Sequence, residues 1–201
     1  MGMLATDNFS RANGGLGANW TTTTGTGDFA PTIVSEHVET STIDGTNDAF
    51  AYYTGTTWPA NQYSQVKVLV DVNAGGAGAV GVICRVNNGG ANLYLALVEG
   101  PLDTPGGSMY LIKRKDSSQS QFLGTPVIYR TLFTGDIIRL EAIGSKIRML
   151  VNDVLVLEGT DSEFTSGPPG IFVTRYTAPL SDAQIDDWEG GQLPEQQVFI
   201  G

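Results

Sequence analysis

Catalysis is first suggested in this chain by the acidic run Glu158-Gly-Thr-Asp161-Ser-Glu163. Paired carboxyls cleave glycosidic bonds, and retaining enzymes hold them about 5–5.5 Å apart across the scissile bond. Here the spacing Glu-x-x-Asp-x-Glu takes Asp161 off the strand register of Glu158, and Gly159-Thr160 reads as a strand end. A solvated turn is the better reading. His37 is the only histidine, so any Ser-His-Asp relay would have to use it. By alternation it shares a face with Ser35 and Glu39, opposite Val34 and Val38, and no Gly-x-Ser-x-Gly elbow offers a nucleophile. Cys84 falls on the apolar face of a strand pattern and reads as a buried core thiol. A single Cys excludes an internal disulfide and a multi-thiolate metal site, and no His/Cys cluster supports zinc. Gly76-Ala-Gly-Ala-Val-Gly81 matches a dinucleotide fingerprint, but strand formers follow where a helix should begin. A flexible hairpin loop is the simpler meaning. The sequons at Asn8 and Asn19, and the Met1-Gly2…Thr6 lipidation pattern, are too short to carry weight without a secretion signal.

Binding chemistry is better represented. Sugars stack on aromatic faces while planar polar groups take their hydroxyls. Trp58 lies in Thr54-Gly-Thr-Thr-Trp-Pro-Ala-Asn61, which has no apolar periodicity, so it is either a stacking platform or a loop anchor. The off-core strand positions Gln65, Lys67, Arg85, Tyr94, Arg139 and Glu141 are polar, mixed in charge and able to line one sheet face. That set suits a glycan groove and equally suits an ordinary solvated sheet.

The elements that must carry these residues have period two. Val66, Val68, Val70 and Val72 alternate with Gln65, Lys67, Leu69 and Asp71; Val80, Val82, Cys84 and Val86 alternate with Gly81, Ile83 and Arg85. Similar runs follow at 92–99, 108–114, 119–123, 136–143, 146–151, 154–158, 170–176 and 184–189, rich in β-branched and aromatic residues. Turn chemistry separates them at Asn88-Gly-Gly90, Gly144-Ser145, Asn152-Asp153 and Pro168-Pro-Gly170. The runs from 136 to 158 read as a three-stranded meander. Ser181–Trp188 is the nearest thing to a helical window and is too short to convince. An all-β fold is expected, either a two-sheet antiparallel β-sandwich or a barrel. The 201 residues suit one domain, placed at 1–190, with Leu16 and Trp20 anchoring a loop over 10–31. Residues 191–201 read as a polar tail whose apolar tip, Val198-Phe-Ile200, is either frayed or a docking arm for a second copy or a neighbouring subunit.

Charge narrows the partners. Eleven Lys+Arg against 21 Asp+Glu give a net charge of −10, which argues against nucleic acid and against an anionic membrane surface. No apolar run reaches the ~20 residues of a membrane-spanning helix, and the first residues lack a secretion signal.

Read in order, Asp7-Asn-Phe-Ser-Arg-Ala-Asn-Gly-Gly-Leu-Gly-Ala-Asn-Trp20, Tyr63-Ser-Gln-Val66, Val80-Gly-Val-Ile-Cys-Arg85, Gly135-Asp-Ile-Ile-Arg-Leu-Glu141, Val151-Asn-Asp153, Gly167-Pro-Pro-Gly-Ile171 and Asp186-Asp-Trp-Glu189 form a string over about residues 5–190 that resembles the concanavalin A-like lectin/glucanase superfamily, nearest its small laminin-G-like modules of bacterial and phage proteins. The resemblance implies a jelly roll with a concave face that often meets glycans. Some members are glycosidases, and their carboxylate pattern is missing here; were this one, Glu141 or Glu158 would carry the cleavage. Laminarinase-type members hold a structural calcium near their first and last strands, which would place it at Asp187, just before Trp188, with Asp7 as its neighbour. The expected function is a non-catalytic module that binds carbohydrate or a surface polymer. The alternative is a structural virion or assembly protein, a decoration or tail component.

Overall fold

Alternation decides which side chains are buried, and the computed structural model places two layers of antiparallel strands face to face. The structure describes residues 1–23, 29–40, 48–69, 78–100, 107–128, 132–175 and 183–195. In chain order the strands are β1 (Gly2–Asp7), β2 (Gly14–Gly15), β3 (Trp20–Thr22), β4 (Pro31–Val34), β5 (His37–Thr40), β6 (Ala49–Tyr53), β7 (Gln62–Leu69), β8 (Gly78–Asn87), β9 (Asn92–Gly100), β10 (Ser108–Lys115), β11 (Gln119–Phe122), β12 (Val127–Ile128), β13 (Ile137–Ile143), β14 (Lys146–Val151), β15 (Val154–Thr160), β16 (Gly170–Arg175) and β17 (Gln184–Gln192). One sheet runs β15-β14-β13-β7-β17-β5-β4-β2, with β1 also on β17; the other runs β11-β10-β9-β8-β16-β6-β3, with β12 on β10. Of the sandwich and the barrel that the periodicity allows, this is the sandwich, the two-sheet jelly roll that the resemblance implies.

Inward positions of both sheets fill the core: Val66, Val68, Ile138 and Leu140 from the first, Val80, Val82, Ala96 and Ile171 from the second. Cys84 joins them fully buried, and burial pushes its thiol well above the usual range. The meander of β13, β14 and β15 closes in the expected register, Ile143 opposite Lys146 and Val151 opposite Val154. In the Ser181–Trp188 window residues 184–188 are strand, not helix, and residues 181–182 lie outside the described residues. Gly78 to Gly81, the second half of the glycine fingerprint, lies within β8 rather than ahead of a helix. Leu16 and Trp20 are buried as expected, Trp20 on a short strand of its own.

Three local readings change. Val86 does not share the inward face of Cys84: a bulge after Cys84, with Arg85 at φ 53°, adds a residue and turns Val86 to the opposite side. Residues 32–40 are not one strand. Ser35 and Glu36, at φ 50° and 67°, make a two-residue hairpin turn, so Val34 pairs with His37. Their side chains are not the Asn-Gly type that announces such a turn, which hid it. Finally, β17 reaches Gln192, and Leu193 is buried with its N–H on the Asn61 carbonyl at 3.0 Å. The sheet therefore runs past residue 190. Val70, Val72, Tyr176 at the end of the 170–176 run and the tail tip Val198-Phe-Ile200 lie outside the described residues.

The outward faces of the two sheets differ. The first is polar. The second carries an apolar cluster of Phe50, Ile83, Leu93, Leu95, Leu97 and Phe172, so β8 and β16 are buried on both sides.

Candidate functional site

Pairing of β13 with β7 puts Arg139 opposite Gln65 and Glu141 opposite Tyr63, and β17 brings Asp186 opposite Lys67 and Glu189 opposite Gln65. Four of the expected positions, Gln65, Lys67, Arg139 and Glu141, therefore do share the outer face of the first sheet. Their polar groups satisfy one another. Arg139 Nε donates to Gln65 Oε1 at 2.7 Å, and the same guanidinium reaches Asp153 at 2.7 Å and Glu141 at 3.8 Å. Lys67 pairs with Asp187 and, at 3.5 Å, with Asp186. Tyr63 donates its hydroxyl to Glu189; burial and that carboxylate push the phenol above its usual range. Glu158 pairs with Arg148 at 2.6 Å, and Glu141 lies opposite the same arginine. The face is laced with ion pairs and side-chain hydrogen bonds.

Arg85 and Tyr94 do not join it. Both belong to the second sheet and are buried, 1% and 0% exposed. Tyr94 donates its hydroxyl to Asp161 and accepts the Phe164 N–H at 3.1 Å, closing the 161–164 loop over the end of the core. Lys113 ties the same loop through Asp161 at 2.8 Å and Glu163 at 3.0 Å. Burial alone would raise the Asp161 pKa, but the bonds from Lys113, Tyr94 and the Glu163 N–H outweigh it and hold it below the usual carboxylate range. A depressed folded pKa contributes stability above the unfolded value, near ~3.9, and that contribution disappears as pH falls through the folded value. The thermal midpoint of Asp161→Asn is expected to lie below that of the parent at neutral pH and to converge with it as pH drops below ~4; parallel curves would contradict this role.

Trp58 stands on the loop between β6 and β7, half-buried, with its indole N–H on the Tyr53 carbonyl at 2.8 Å. It is thus an anchor. It is also a wall, because Tyr53, Thr54, Thr56, Trp58, Gly167 and Pro168 line a cavity of about 220 Å³ that no charged side chain enters. Tyr53 stacks on Trp188 at 5.0 Å and meets Trp58 edge-on at 6.2 Å. The opposing walls come from loops more than a hundred residues apart, and the sheet residues next to them hold both. Gln62 Nε2 donates to Pro59 O at 2.7 Å and to Gly167 O at 2.8 Å. Arg85 donates to the Ala60 carbonyl from Nε at 3.1 Å and Nη2 at 2.9 Å, and from Nη1 to Gly144 O at 2.8 Å and Phe164 O at 3.0 Å. Tyr53 N–H and Val86 N–H bond the Pro169 and Pro168 carbonyls at 2.9 and 3.0 Å. Arg85 is therefore placed behind the site and fixes its walls. No local pattern announces that Tyr53 or Gly167-Pro168 would meet Trp58, since only the crossing of sheets brings them together.

Asp7 and Asp187 do face one space, a cavity of about 450 Å³ shared with Thr6, Asn8, Trp188 and Glu189. Its donors do not suit calcium, which wants six to eight oxygens. Asp7 Oδ1 accepts the Phe9 N–H at 2.9 Å and Arg11 Nη1 at 2.7 Å; Oδ2 accepts Arg11 Nη2 at 2.9 Å and Trp20 Nε1 at 2.7 Å. Asp187 is engaged by Lys67. Among the described residues no group of three or more His, Cys, Asp and Glu could hold a metal ion.

No family model matches the sequence, and no curated protein matches it. Solved structures do match the fold. The carbohydrate-binding module CBM66 from Bacillus subtilis is 20% identical with a TM-score of 0.57, over 84% of this chain and 91% of that one. The catalytic domain of an endo-1,3-beta-glucanase (laminarinase) from Thermotoga petrophila RKU-1 is 11% identical with a TM-score of 0.61, over 96% and 98%. The VIP36 exoplasmic/lumenal domain in its Ca2+/Man3GlcNAc-bound form is 10% identical with a TM-score of 0.58, over 90% and 86%. The chain has a concanavalin A-like jelly-roll fold. A carbohydrate-binding module, a glucanase catalytic domain and a Man3GlcNAc-bound domain share that architecture, so the fold alone does not choose a role and the site has to.

Proposed function

We propose that this protein is a non-catalytic carbohydrate-recognition module whose ligand is a neutral sugar ring held in the Trp58 cavity. The observation that carries the reading is the uncharged, aromatic-walled cavity, pre-formed by the Arg85 and Gln62 clamps. Tyr53 and Trp58 supply the aromatic lining on which a sugar ring would stack, with Thr54 and Thr56 beside them. The Thr54 hydroxyl donates to the Asn19 carbonyl at 3.2 Å and keeps lone pairs to accept from a sugar hydroxyl. A cavity of about 220 Å³ lies below the ~300–1,000 Å³ of drug-sized pockets and suits one ring. Glycan binding by the shared fold in CBM66 supports the reading. The pairing of Glu158 and Glu141 with arginine, and of Asp161 and Glu163 with lysine, supports recognition over hydrolysis.

The test is binding to a panel of neutral polysaccharides by affinity electrophoresis or calorimetry. Trp58→Ala is expected to weaken binding about 10–100-fold, as loss of an aromatic stacking surface of ~1.4–2.8 kcal/mol requires, and Trp58→Phe to recover part of it. Arg139→Ala, on the outer ladder, is expected to bind like the parent. If Arg139→Ala or Gln65→Ala loses binding while Trp58→Ala keeps it, the ligand lies on the polar face instead. A folded chain that binds no neutral glycan sinks the proposal.

A further inference from the structure

We infer that the Asp7–Arg11 pair does at the β1–β17 seam the work that calcium would do there, and that through Trp20 it fixes the aromatic wall of the Trp58 cavity without a metal. A carboxylate has two oxygens with about two lone-pair sites each, and all four donors on Asp7 come from this chain. Three of them reach along the N-terminal segment: the Phe9 N–H and the two Arg11 nitrogens. The fork of the guanidinium spans both oxygens, a geometry an ammonium cannot copy. Arg11 also donates from Nη2 to the Leu16 carbonyl and from its backbone to Phe9 O at 2.7 Å. Its guanidinium sits 5.6 Å from the centre of the Phe9 ring. Phe9 is fully buried and holds φ 52°, a backbone state that the surrounding bonds must maintain. A cation entering here would have to expel a positive group and break this set.

The fourth donor carries the effect toward the cavity. Trp20 Nε1 donates to Asp7 Oδ2, which fixes the indole. Its ring then meets Trp188 at 4.8 Å and Tyr53 at 5.3 Å, both edge-on. Asp7 is itself opposite Trp188 in the β1–β17 register. Tyr53, stacked on Trp188, is the cavity wall. Arg11 is thus a positioning residue that reaches the cavity wall through two intervening residues, Asp7 and Trp20. That its target is a sugar site rests on the reading above; the seam itself does not.

The full chain tests this without any glycan. Its thermal midpoint is expected to be the same in millimolar calcium and in chelator. Arg11→Met is expected to lower the midpoint by about 5–10 °C and to reduce the far-ultraviolet circular-dichroism couplet of the Trp20–Trp188 pair. Arg11→Lys keeps the charge, loses the fork and should recover only part of each. A calcium-induced rise of several degrees in the parent chain overturns the inference. So does an Arg11→Met chain with midpoint and couplet intact; if that variant does not fold, unchanged values in Arg11→Lys overturn it equally. Because none of these readouts involves ligand, failure here leaves the Trp58 experiment standing, and the reverse also holds.

Discussion

Arg85→Met should cost about 3–5 kcal/mol of unfolding free energy, read as a lower denaturant midpoint with an unchanged slope. The guanidinium is buried and donates four hydrogen bonds to the carbonyls of Ala60, Gly144 and Phe164. Hydrogen bonds from a charged donor contribute about 1.5–3 kcal/mol each, though not additively. Methionine fills the space and leaves those carbonyls without their donor. Burial lowers the Arg85 pKa, so relief of that desolvation offsets part of the loss and keeps the figure below the sum of the bonds. Arg85→Lys is expected to do little better, since one ammonium cannot reach three carbonyls in a fixed fork. The residue also holds φ 53° at its bulge, a strain of order 1–3 kcal/mol that those bonds offset. The loop bearing Trp58 hangs from Ala60, so sugar binding should fall with stability. A loss under ~1 kcal/mol would show that the three loops hold without the clamp.

Gly167→Ala should be comparably severe. The backbone there has φ 128°, and a Cβ would sit 2.1 Å from the Val86 carbonyl oxygen and 2.9 Å from the Arg85 carbonyl carbon. Both obstacles are backbone, so no side chain can swing away. The strand and loop would have to part, which strains the Val86 N–H to Pro168 O bond of 3.0 Å and the Gln62 to Gly167 O bond of 2.8 Å. A loss of roughly 3–5 kcal/mol, a drop of some 6–20 °C in midpoint for a chain of this size, is expected in calorimetry. Gly135→Ala is the control: it also has positive φ (99°) but nothing within 4 Å of a Cβ, so it should cost clearly less. Equal losses at the two positions would assign the effect to backbone conformation alone rather than to the close approach.

The strands from β7 onward, β12 excepted, were legible because most bury at least one face, and a one-residue slip would turn every valine of Val66-Lys-Val68 to water. The β4–β5 hairpin was not legible, since Ser35-Glu36 carries no glycine or asparagine to mark its turn. Nor was the fate of Val86, because a bulge shifts parity without any change in composition. The apolar outer face of the second sheet had a readable signal: Asn92–Glu99 is hydrophobic at nearly every position, as strands covered on both sides are.

The candidate site divides in the same way. Trp58 stood out by type, in a loop with no core periodicity to explain it, and the mixed polar ladder of Gln65, Lys67, Arg139 and Glu141 followed from counting alternate positions. Counting cannot say that a long polar side chain will turn inward. Arg85 does so because three carbonyls at the end of the sandwich need a donor, and those carbonyls lie 25, 59 and 79 residues away. The resemblance implied Asp7 as a cation ligand, yet its oxygens are filled by a guanidinium four residues on and an indole thirteen on. Local alternation of apolar and polar residues determined two stacked sheets, since burying one face of each strand is a requirement every segment meets on its own. Which polar group answers which, and so where a ligand can still enter, was decided only when strands distant in sequence came within hydrogen-bonding reach.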